Sequence, residues 1–130
     1  MIESQKQCQH VAETFLPFDM NVTTRDRGIA ALAKSNVTDF TWGIRAANTQ
    51  PTAGFNAGIG GIAYLNSFSS DQDTPIFTFN EGARDGGVTN SHEVGHALGL
   101  QHHGLIGQSY HPGAGTRQAG QSAFCPILAP

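Results

Sequence analysis

A mixed α and β fold is what this sequence predicts, and three observations point to it. Glycine is abundant, at 16 of 130 residues, while Asp, Glu, Lys and Arg together reach only 13%. A helical bundle needs more Glu and Lys on its surface than that. Several short runs alternate apolar and polar residues, as strands with one buried face do, whereas two longer segments space their apolar residues three and four apart, as helices do. The length suits one domain spanning residues 1–130.

The first helical segment covers residues 3–18: Cys8, Val11, Ala12, Phe15 and Leu16 form an apolar stripe that Pro17 stops. Residues 18–24 alternate and include β-branched members, which predicts a short strand. A weak helical turn or a loop is expected over 26–34. A second strand is expected over 40–46, followed by a long loop rich in turn formers over 48–58. The run 60–65 opens with Gly60 and Gly61 and then turns apolar, which suits an edge strand where another backbone comes close. The run 75–80 starts at Pro75 and ends in Asn80-Glu81-Gly82, so a buried strand of about five residues is predicted there. From Val88 to Leu100 the apolar residues return to helical spacing, with Asn90 and Glu93 placed as a capping box. Beyond Gly99 no periodicity survives, and residues 104–130 read as irregular chain punctuated by glycine and proline.

Chemistry concentrates in one segment, His92-Glu93-Val94-Gly95-His96-Ala97-Leu98-Gly99-Leu100-Gln101-His102. On a helix, residues four apart share a face, so the imidazoles of His92 and His96 can converge on one ion at about 2.0–2.1 Å per Zn–N bond. Glu93 lies roughly 100° round the helix from His92, beside the ion and within reach of a water in its open position. A catalytic zinc site needs a third protein ligand, which requires the helix to stop before position 102. Gly99 supplies the stop, because glycine takes up positive φ without Cβ strain, and His102 becomes the third ligand. One Zn2+ held this way lowers the pKa of bound water from near 16 towards about 7. Glu93 is then the general base and acid of peptide-bond hydrolysis. A bare HExxH is a weak signal, but the added glycine and third histidine at fixed offsets make coincidence improbable. His103 could replace His102 after a one-residue shift, although a place in solvent or behind the ligands suits it better; His10 and His111 are expected to be non-ligands.

This segment resembles the zinc signature of the metzincin clan of metallopeptidases. Residues 11–24 resemble the helix-to-strand passage of bacterial reprolysin-like members, and Gly61-Ile62-Ala63-Tyr64-Leu65 resembles their strand bordering the cleft. The resemblance implies a zinc endopeptidase with a mixed sheet packed on a backing helix and an active-site helix. It also implies an irregular C-terminal subdomain and an extended peptide or protein substrate lying antiparallel to the edge strand near 60–65, a known mode of strand addition. There are departures. Leu128 stands where the clan has a methionine in a tight turn beneath the metal, and Tyr110 is not a positional match for the tyrosine that some members use. The strand that usually precedes the first helix and the closing C-terminal helix are without a counterpart in the resemblance, and a fragment or a decayed copy is among the expectations. An active endopeptidase, a zinc-binding domain that has lost catalysis and a truncated remnant are therefore the three readings to separate.

A net charge of −3 with Lys and Arg scattered gives no footprint for nucleic acid or an acidic membrane, and no run approaches the roughly 18 apolar residues of a membrane span. A monomer is expected. The resemblance implies a secreted or cell-surface protein made as part of a longer precursor, although no export signal precedes the first helix. Cys8 and Cys125 permit one disulfide, and two unpaired thiols are the simpler expectation. Of the sequons at Asn21 and Asn36, the first falls in a predicted strand and is read as chance.

Overall fold

The computed structural model describes residues 2–25, 28, 44–48, 59–70 and 74–102. In these, helix α1 (Glu3–Thr14) is followed by strand β1 (Ala46–Asn48), strand β2 (Gly61–Ile62), a 3-10 turn (Ser67–Ser69), strand β3 (Ile76–Thr78) and helix α2 (Ala83–Ala97). The three strands form one mixed sheet in the order β1-β3-β2. β1 runs parallel to β3, with Ala47 opposite Phe77, and β2 runs antiparallel to it, with Gly61 opposite Thr78 and Ile62 opposite Phe77. The coarse prediction of mixed α and β therefore holds.

β3 sits at the centre because its residues can be covered on both sides: Ile76 and Thr78 have no exposed surface at all. Thr78 tolerates that burial because its hydroxyl donates to Oδ1 of Asn90 on α2 at 2.9 Å, so a polar pair cross-links sheet to helix where unpaired groups would cost stability. Ile76 joins Val11, Phe15, Val94 and Ala97 in the core, and Val22, Ile44, Ala63 and Leu98 pack around it.

Helix α2 starts five residues earlier than the apolar spacing predicts, and Asn90 lies inside it rather than at its cap. Gly86 and Gly87 are poor helix formers, and they hid the first turns from a reading based on local pattern. Tertiary packing explains them. A Cβ on Gly87 would lie 2.6 Å from Cβ of His10, and one on Gly86 would meet the Gln7 amide and, at 3.0 Å, the Asn80 carbonyl oxygen. The two glycines let α1 approach the α2 backbone. The contact is polar as well as close: Gln7 Nε2 donates to the Gly82 carbonyl at 3.1 Å, and Ser91 Oγ lies 3.3 Å from Thr14 Oγ1.

Other boundaries also move. α1 ends at Thr14, with Phe15 at its C-cap; Leu16 is 81% exposed, whereas Gln7 is buried in the stripe in place of an apolar residue. The strand predicted over 18–24 is absent among the described residues. At its start local bonds form instead, with Phe18 N–H donating to Phe15 O at 2.9 Å and Met20 N–H to Phe18 O at 2.8 Å, and Val22 packs against the core. β1 begins where the strand predicted over 40–46 ends, residues 40–43 lying outside the described set. β2 and β3 fall within their predicted runs but are shorter, and β2 takes the edge place expected of it. Residues 26, 27, 29–34, 49–58 and 103–130, with Cys125, His103, His111, Tyr110 and Leu128, also lie outside the described set. Cys8 is half-buried, and burial pushes its thiol pKa up. Among the described residues no helix is long and apolar enough to cross a membrane.

The glycine contact gives a direct test. Gly87→Ala gains helix propensity of up to about 1 kcal/mol but overpacks the α1–α2 contact at a cost of about 1–3 kcal/mol. Urea denaturation is expected to show a net loss of stability, because the opposing atom is the Cβ of His10 and cannot swing aside.

Candidate metal centre

Helix α2 carries His92 and His96 one turn apart on a half-buried face. The end of the helix then decides where His102 goes. Leu98 is the C-cap and Gly99 follows with φ +96°. Gly99 N–H donates to the His96 carbonyl at 2.9 Å, and Leu100 N–H donates to the Gly95 carbonyl at 2.9 Å. These two crossed bonds make a Schellman motif, which satisfies helix-end carbonyls that have no partner further along the helix. Gly99 thus does what the sequence predicts of it, and the chain doubles back.

The turn brings three imidazoles to one point. His92 Nε2 lies 2.9 Å from His96 Nε2, and His102 Nε2 lies 3.0 Å from each of them. Two of the ring pairs are steeply inclined, at 89° between His92 and His96 and 70° between His96 and His102, and the third, His92 with His102, is tilted by 30° with centroids 5.0 Å apart. Stacking of the rings does not account for the cluster; convergence of three nitrogens does. Among the described residues this is the group of side chains able to hold a metal ion.

Protonation supports the same arrangement. His96 Nδ1 lies 2.7 Å from the Leu100 carbonyl oxygen. A carbonyl only accepts, so Nδ1 carries a proton and Nε2 is left facing His92 and His102. Metal-bound histidines regularly use a backbone carbonyl in this way to fix tautomer and orientation. Burial, with the neighbouring His96 and His102, lowers the His92 pKa to about 4, and burial with His96 also lowers that of His102. Both rings are therefore neutral at pH 7, the form that binds metal. An ion with tetrahedral angles and bonds of about 2.0–2.1 Å separates its nitrogens by roughly 3.3–3.4 Å, a few tenths of an ångström more than here. The donor set fits a divalent ion of the borderline type that favours imidazole.

Glu93, the residue after His92 on α2, packs against the sheet. It is 5% exposed, and burial raises its carboxyl pKa while His96 acts in the opposite sense. β2 lies directly over it: a Cβ on Gly61 would be 2.8 Å from Glu93 Cγ, 2.8 Å from its Oε1 and 2.8 Å from the Phe77 carbonyl oxygen. The expectation that another backbone comes close is met at Gly61, through the Phe77 carbonyl beside the Glu93 side chain, whereas the neighbour of Gly60 is the Asn80 side-chain amide, 2.8 Å from where a Cβ would stand. His10, expected to be a non-ligand, stays between α1 and α2 against Gly87.

Two contributors escaped the sequence reading. The Leu100 carbonyl orients His96, and a backbone atom leaves no mark in a residue pattern. Asn66 donates its N–H to the His96 carbonyl at 2.8 Å from a left-handed conformation with φ 58°; an asparagine just past a strand is the signal that could have found it. Comparison with known protein families, with curated proteins and with solved structures returns no match.

Replacing Gly99 tests the turn. Gly99→Ala puts a Cβ in a left-handed position, at about 1–2 kcal/mol, and 3.2 Å from Asn66 Oδ1. Lower stability in urea and weaker uptake of a divalent ion by calorimetry are both expected, because the strained turn also carries His102.

Proposed function

We propose that this chain is the catalytic core of a zinc-dependent endopeptidase of metzincin type. The observation that carries the reading is the triangle of Nε2 atoms of His92, His96 and His102, 2.9–3.0 Å on a side, formed on a helix whose next residue after His92 is a buried glutamate. Three imidazole ligands leave a four-coordinate zinc ion one open position, the mark of a catalytic rather than a structural site. Zinc, when bound there, polarises the scissile carbonyl and acidifies the attacking water.

The chain's own residues supply the rest. His92, His96 and His102 hold the ion, with His96 kept in the right tautomer by Leu100. The Glu93 carboxylate, desolvated under β2 so that its proton affinity is raised, takes a proton from the water as its oxygen attacks the carbonyl carbon. When the C–N bond breaks, Glu93 passes that proton to the leaving amine. A substrate strand fits beside β2, an edge strand of the sheet among the described residues, where backbone bonds give affinity and side-chain pockets give selectivity. The metzincin likeness adds an extracellular place of action and an extended peptide or protein as substrate.

Zinc per chain and hydrolysis of unfolded casein, measured side by side for the wild type, Glu93→Ala and Glu93→Gln, test the reading. One equivalent of zinc in all three is expected, with kcat of the variants lower by about 10²–10⁴. Zinc without hydrolysis in the wild type overturns the enzyme and leaves a catalytically silent metal domain; no zinc in the wild type overturns the site.

A further inference from the structure

The last turn of α2 has to hold still for the three nitrogens to stay together, and the bonds that hold it come from outside the helix as well as from the Schellman turn. The His96 carbonyl accepts twice, from Gly99 N–H at 2.9 Å and from Asn66 N–H at 2.8 Å. Asn66 reaches it by reversing the chain four residues after β2. Its φ of 58° and ψ of 24° lie in the left-handed region, which asparagine enters more readily than other side-chain-bearing residues and β-branched residues hardly enter at all. The reversal is fastened on its far side, where the Asn66 carbonyl accepts from Ser69 N–H at 3.3 Å and from Ser69 Oγ at 2.9 Å. The Asn66 side chain also covers Gly99, with Oδ1 3.2 Å from where a Cβ would stand.

Asn66 therefore touches the helix end at two points, the carbonyl of a ligand residue and the glycine that turns the chain. From that same turn Leu100 locks the His96 ring at 2.7 Å, and His102 follows two residues later. We infer that Asn66 is a positioning residue for the metal centre: its left-handed backbone clamps the end of α2, and through that clamp sets the tautomer of His96 and the place of His102. The inference rests on the metal-binding reading above, and it adds a residue that contributes no ligand atom.

The backbone does the clamping, so the substitutions separate conformation from side chain. Asn66→Gly keeps both the N–H and easy access to positive φ; Asn66→Val keeps the N–H but disfavours the conformation; Val11→Ala weakens the core from the α1 side without altering the turn at Gly99 and controls for general loss of stability. Zinc affinity is measured by competition with a chelating dye, and the zinc-free His96 tautomer by long-range ¹H–¹⁵N NMR. Asn66→Gly and Val11→Ala are expected to bind zinc within about threefold of the wild type and to keep the Nδ1–H form. Asn66→Val is expected to lose about 10–100-fold in affinity, the usual effect of removing support behind a metal ligand, and to show mixed His96 tautomers. If Asn66→Val does not fold, Asn66→Ala takes its place with a loss in the same direction. Wild-type affinity and a single tautomer in the folded variant would overturn the role of Asn66, as would an equal loss of zinc in Val11→Ala. A wild type that binds no zinc removes the metal reading instead, and the tautomer comparison, which needs no metal, then decides the clamp by itself.

Discussion

A helix rises about 1.5 Å per residue, so six more residues of helix after His96 would carry position 102 roughly 9 Å along the axis, out of reach of any ion that His96 could hold. The reversal at Gly99 is the constraint on which the site depends. It takes positive φ at one residue and two crossed backbone bonds, and it brings two groups into use at once: the Leu100 carbonyl against Nδ1 of His96 and the imidazole of His102 against its Nε2. One turn thus sets both the orientation of the second histidine and the position of the third.

The scaffold behind that turn is small. A three-stranded sheet whose described strands are two or three residues long gives few ladder bonds, and the helices supply much of the fixing. The α1–α2 contact uses glycine for proximity and Gln7, Thr14 and Ser91 for directed bonds. Thr78 and Asn90 fasten the central strand to the same helix. α2 is consequently held along one side by α1 and the sheet, while its other side carries the histidines towards solvent.

Electrostatics and packing act together at the site. Burial, together with repulsion from the neighbouring imidazoles, disfavours protonation of His92 and His102, and the three Nε2 atoms converge on one small space where a cation can sit. Burial under Gly61 acts oppositely on Glu93, raising its affinity for a proton. Neutral bases and a carboxyl of raised pKa thus lie next to each other in the chain because one faces the open side of the helix and the other faces β2.

The sequence by itself determined the local chemistry: which histidines share a helix face, that Gly99 must end the helix, and that Gly60 and Gly61 mark a close approach. These follow from the fixed period of a helix and from the conformational range of glycine, both of which are local properties. Longer-range facts were decided by the tertiary structure. Gly86 and Gly87 belong to a helix because α1 needs the room, against their own propensity; residues 18–24 form no strand among the described residues, and the N–H groups of Phe18 and Met20 go into local bonds; Gln7 enters the core because the Gly82 carbonyl awaits it. Asn66 and Leu100 act on His96 through backbone atoms, which every residue carries, and only the folded chain could bring those atoms to it.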